Sequence, residues 1–152
     1  MRRLLLSFAL AVSLSAVGAS SALAQAPEGA QKAPLYGPHA TTTGFGCATG
    51  VFPTPKTFGF VVLNTPGNEN MVSAEVALKH AAPNTTYVLG IQQDPGTCPL
   101  PVPMGSITTN KKGNANGHFT AERAPTATKF WVAIESSVAS TETYGSSSVE
   151  LD

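Results

Sequence analysis

Val72-Ser73-Ala74-Glu75-Val76-Ala77-Leu78-Lys79 decides the fold class. Val72, Ala74, Val76 and Leu78 fall on one side of an extended chain, and Ser73, Glu75, Ala77 and Lys79 on the other. This period of two marks a β-strand with one buried and one wet face. Ala81-Ala82-Pro83-Asn84 then interrupts the pattern with turn-forming residues. Tyr87, Leu89 and Ile91 resume the alternation on a second strand.

Similar runs lie on either side. Phe58, Phe60 and Val62 predict an earlier strand that stops at Asn64-Thr65-Pro66-Gly67-Asn68. Downstream, Ser106 to Thr109 reads as a short strand, followed by an Asn/Gly-rich loop over 110–117 and a returning strand carrying Phe119 and Ala121. Phe130, Val132 and Ile134 predict another strand, and Val149 with Leu151 a last one. The total is seven, or eight if Cys47 to Phe52 is included. Seven short strands in about 105 residues leave no room for a helix of ordinary length. They match an all-β, immunoglobulin-like sandwich of antiparallel strands, with a small β-barrel as the alternative.

The chain begins with Arg2 and Arg3, an apolar stretch from Leu4 to Val17, and Ala22-Leu23-Ala24, a small-x-small site for cleavage before Gln25. Residues 1–24 therefore read as an export signal. Residues 25–43, with Pro27, Pro34 and Pro38, read as a flexible Pro-rich leader, and 44–152 as the folded domain. Removal of the signal leaves seven Lys and Arg against nine Asp and Glu, a formal charge of −2. That balance predicts no nucleic-acid partner, and no second apolar run predicts a stable membrane anchor. The expected location is extracellular or periplasmic.

In an oxidising compartment the two cysteines, Cys47 and Cys98, are expected to form one disulfide. A bridge over 51 positions is worth about 4 kcal/mol in the chain-entropy model. The three histidines, His39, His80 and His118, show no metal-binding spacing, although His80 and His118 could meet Glu75 or Glu122 in space. Gly44-Phe45-Gly46 with Gly50 misses the dinucleotide spacing, and the 110–117 loop has no carboxylate for calcium. Gly145-Ser146-Ser147-Ser148 reads as a turn, with no base to make a nucleophile of its serines. Asn84-Thr85-Thr86 fits a glycosylation acceptor, of consequence only in a eukaryotic secretory route. No catalytic group, metal or cofactor is expected.

Trp131 alternates with Phe130 and Val132, so it should point outward beside Lys129, where it either marks a binding face or covers the sheet against Tyr87 or Tyr144. With Lys111 and Lys112 of the Asn/Gly loop, Trp131 and Lys129 form the candidate binding set. The expected function is that of a secreted, non-enzymatic binding module with an extracellular or cell-envelope partner. The alternative is a small-ligand carrier whose cleft lies between the sheets, lined by Phe119 and Tyr87.

The order of Pro83, Thr85 and Tyr87, followed by Thr108-Thr109, Gly113 and Ala115, resembles secreted bacterial immunoglobulin-like modules over roughly residues 70–135. It is also loosely similar to antibiotic-carrier apoproteins of the neocarzinostatin type. Those carry two disulfides and a chromophore cleft, whereas two cysteines here permit one bridge. The shared motifs are turn chemistry, so the resemblance implies a fold and transfers no functional residue.

Overall fold

The computed structural model describes residues 29–39, 56–67, 70–96, 104–137 and 142–151. Within them the protein is all-β and antiparallel: β1 (Gln31–His39), β2 (Thr57–Asn64), β3 (Met71–Leu78), β4 (Thr86–Asp94), β5 (Gly105–Thr108), β6 (Ala115–Glu122), β7 (Lys129–Ser136), β8 (Thr143–Ser146) and β9 (Val149–Glu150). The strands run in the order β5-β4-β7-β8-β1-β2-β3-β6, with β9 against β7. The order wraps into a nearly closed, barrel-like sheet. Its end strands β5 and β6 meet through side chains: a Cβ on Gly117 would lie 2.7 Å from Cγ2 of Ile107, and one on Gly105 would lie 2.6 Å from the Phe119 ring.

The alternation read in 72–79 is kept in β3. Val72, Ala74, Val76 and Leu78 are buried inside, where they pair in register with β2 and β6. Each large apolar side chain in this interior contributes about 1.5–3 kcal/mol. Phe58, Tyr87 and Tyr144 close one end of the core with ring centroids 5.2 and 5.7 Å apart.

Four expectations change. Residues 31–39 are not leader: β1 is a central strand, with Ala33 and Leu35 buried in the core. Proline disfavours a central strand because it lacks a ladder donor. Here β1 divides its pairing, using 31–36 against β2 and 35–39 against β8, and Pro34 serves as acceptor to Ser147 N at 3.2 Å. Second, Gly145-Ser146, read as a turn, belongs to β8, which joins β1 to β7. Third, the loop over 110–117 is shorter, because Ala115, Asn116 and Gly117 already pair with β3. Fourth, Trp131 points outward but is buried. The strand read over 47–52, together with Cys47 and Cys98, lies outside the described residues.

The two halves of the sheet differ in how they meet water. β2 and β6 alternate between buried and wetter positions. By contrast β4 is buried continuously from Leu89 to Gln93, β7 from Phe130 to Ile134, and β8 throughout. An antiparallel sheet commonly keeps one face solvated. The β4-β7-β8 half has both faces withdrawn from solvent.

Candidate functional site

Pairing register defines the outer face of this half. Gly90 lies opposite Ala133, Ala133 opposite Gly145, and Gly145 opposite Tyr36 of β1. Three residues with no side chain or one methyl thus form a row across β4, β7 and β8, and Tyr36 stands at its end. One row toward the start of β7 lies the Gln92–Trp131 pair; one row the other way lies Glu135–Thr143. The result is a low floor between two higher rows.

These outward residues are enclosed: Trp131 and Thr143 are each 2% exposed, Gln92 3% and Ala133 6%. Among the described residues, the buried side-chain polar atoms without a hydrogen-bond partner are Trp131 Nε1 and Thr143 Oγ1. Indole N–H is a donor only, and the threonine hydroxyl can donate or accept. A buried polar group without a partner costs about 1–3 kcal/mol, so each of these two calls for an explanation. Both of them border the same floor.

The end of the molecule next to Thr143 is fixed by a half-buried carboxylate. Glu142 Oε2 accepts hydrogen bonds from Tyr87 Oη at 2.5 Å, Tyr144 Oη at 2.9 Å and Ala82 N at 3.3 Å. Burial pushes the Glu142 carboxyl up, but these donors outweigh it and hold the group below the ordinary carboxylate value. Burial, then the Glu142 carboxylate, push Tyr87 up to about 12 and raise Tyr144 as well. Backbone bonds add to the brace. Thr109 Oγ1 donates to Ala82 O at 2.6 Å and accepts from Thr85 N at 2.9 Å.

The sequence-based candidates separate. Trp131 is in the enclosed face. Lys129 is exposed at the start of β7, paired with Asp94 and Glu150 across the strands. Lys111 and Lys112 sit at the opposite end of the molecule, in the exposed turn between β5 and β6. Tyr87 and Phe119 do not line one cleft: the Tyr87 ring packs on Tyr144 inside the core, while Phe119 lies in the β5–β6 seam. Of the histidines, His118 meets Glu75, with Nδ1 2.6 Å from Oε1 on an exposed cross-strand pair. His80 instead caps β3, its backbone N donating to Asn114 Oδ1 at 3.2 Å. Among the described residues no group of three or more His, Cys, Asp or Glu is placed to hold a metal ion.

Sequence reasoning missed Thr143, Gln92 and the Gly90–Ala133–Gly145 row. One signal was present: the runs Leu89-Gly90-Ile91 and Phe130-Trp131-Val132-Ala133-Ile134 are apolar or small on both parities, the mark of a strand buried on both faces. The chain matches no protein-family model, no curated protein and no solved structure.

Proposed function

We propose that this protein is an exported, non-enzymatic binding protein that holds a small ligand on the outer face of β4, β7 and β8. The observation that carries the reading is the pair of orphaned, enclosed polar groups, Trp131 Nε1 and Thr143 Oγ1, on either side of a floor of two glycines and an alanine. Trp131 and the Thr143 partner Glu135 are four residues apart on β7, about 13 Å at strand spacing. A flat ligand of two or three fused rings with a hydrogen-bond acceptor toward each end suits that span. Its rings would lie on Gly90, Ala133 and Gly145 in place of the chain that withdraws these residues from solvent in the ligand-free protein, and its acceptors would take the indole and hydroxyl protons. This modifies the expected carrier: the ligand sits outside one half of the sheet, not between the halves.

The reading includes the finer architecture and the setting. We take the fold as an immunoglobulin-like sandwich whose halves, β5-β4-β7-β8 and β1-β2-β3-β6, share the chain at β1, which pairs with both β2 and β8. Export of the chain after cleavage at Ala24 and a Cys47–Cys98 bridge complete it.

Native mass spectrometry of the protein from its own source tests the binding claim. A bound mass of a few hundred daltons, lost on denaturation and absent from the Trp131→Phe/Thr143→Val variant, is the expected result. A bare polypeptide mass in every preparation, with no compound retained from a panel of planar carbonyl compounds, would overturn it.

A further inference from the structure

Net charge conceals a second surface, at the end of the molecule where β3 stops and β6 starts. Lys79 N donates to Phe58 O at 2.8 Å, which sets Lys79 and His80 beside the start of β2, where Lys56 lies 4.7 Å over the Phe58 ring. Ala81 N donates to Gly113 O at 3.0 Å, and His80 N to Asn114 Oδ1 at 3.2 Å, so the turn carrying Lys111 and Lys112 adjoins the same corner. Three neighbouring strand ends thus bring together Lys56, Lys79, Lys111, Lys112 and His80. The cluster spans roughly 10 Å, two strand spacings.

Its support is rigid. Asn110 Oδ1 accepts from Lys112 N at 2.8 Å and Asn114 N at 3.1 Å. Gly113 has a φ of +74°, and a Cβ there would lie 2.0 Å from Ala81 O, so the turn is seated directly on the 80–81 backbone.

Four of the seven Lys and Arg downstream of Ala24 are therefore at one end. Among the described residues, the acids near it are Glu135 on the outer face and Glu142, whose carboxylate is held by Tyr87, Tyr144 and Ala82. Segments 40–55, 97–103 and 138–141 contain no charged residue. Asp94, Glu122 and Glu150 belong to the opposite end, where β4, β6 and β9 finish. Downstream of Ala24 the formal charge is −2, yet this part of the chain is polarised, with a basic end.

We propose that this basic end binds an anionic polysaccharide of the cell surface or its surroundings. Ammonium groups on short turns supply attraction to repeated acidic groups. The amides of Asn84 and Asn116 beside them suit sugar hydroxyls, and Asn116 Oδ1 already accepts from Lys79 Nζ at 3.5 Å. The described residues of these turns expose no Phe, Tyr or Trp ring on which bases could stack, His80 being the one exposed ring, and no large apolar side chain to enter a bilayer, which favours a polysaccharide over nucleic acid or lipid. This surface is separate from the enclosed outer face, and the proposal stands whether or not that face binds a ligand.

Binding of the mature protein to heparin, a sulfated polysaccharide probe, at about 50 mM salt tests it. Binding should weaken steeply with salt. It should fall on the order of tenfold or more in Lys111→Gln/Lys112→Gln and further with Lys56→Gln added, the far urea-unfolding midpoint staying unchanged. Lys32→Gln/Lys129→Gln removes the same charge elsewhere and should bind as the parent does. Absence of heparin binding, an equal loss in both double variants, or equal or tighter binding to single-stranded DNA or to anionic vesicles would overturn the proposal.

Discussion

Glu142 stands beside Thr143 and ties two phenols and the 81–82 turn to the start of β8. Its depressed folded pKa means that its stabilisation is present above the ordinary carboxylate pKa and is lost as pH falls through the folded value. The sign reverses for Tyr87: its raised pKa gives a contribution complete below pH 10 and lost as pH rises toward about 12. Urea unfolding followed against pH should show both limbs. Glu142→Ala should cost about 2 kcal/mol at neutral pH, because it strands the hydroxyls and the amide, and should flatten the acid limb. Trp131→Phe and Thr143→Val should behave in the opposite way in ligand-free protein. Each removes an enclosed polar group without a partner, so stability should stay level or rise by about 1 kcal/mol, measured by the same melts. Nothing in the sequence at 142–144 distinguished these residues, since their partners Tyr87 and Ala82 lie more than fifty positions away.

At the level of elements, the strands with clean alternation were legible and those without it were not. Val72 to Leu78 could be read directly because its two faces differ in solvent exposure. β1 was hidden by Pro34 and Pro38, and only the division of its pairing between β2 and β8 makes those prolines compatible with a central position. β8 was hidden because Gly145 and Ser146 are small, a property that suits a floor as well as a turn. A chain beginning at residue 40 should therefore lack a cooperative unfolding transition, whereas one beginning at Gln25 should retain it. Circular dichroism melts of the two decide whether β1 is part of the domain. Backbone packing sets a similar limit at Gly59, whose φ is +116° and where a Cβ would lie 1.8 Å from Ala77 O. Gly59→Ala should cost about 3 kcal/mol or more, read as a lowered urea midpoint, because it separates β2 from β3.

Across the whole molecule, the sequence conveyed the all-β class but neither surface. The all-β fold follows from a local pattern, period two, and the proposed export rests on another, a charged start with an apolar stretch. The outer face of β4, β7 and β8 depends on register across three strands, and the basic end on three turns that are distant in sequence and adjacent in space. Neither has a signature within any one segment. The proposed export to an oxidising compartment carries its own prediction. Denatured, unreduced mature protein should titrate no free thiol, and two titratable thiols would remove the Cys47–Cys98 bridge. The central claim is the ligand on the enclosed face, and Trp131, the single tryptophan, reports on it with one indole resonance. The measurement is the position of its ¹H–¹⁵N cross-peak in protein as isolated from its source, compared with protein unfolded, freed of small molecules and refolded. With a ligand on this face the peak moves when the protein is stripped and returns when the extract is added back; the same position in all three samples would rule such a ligand out.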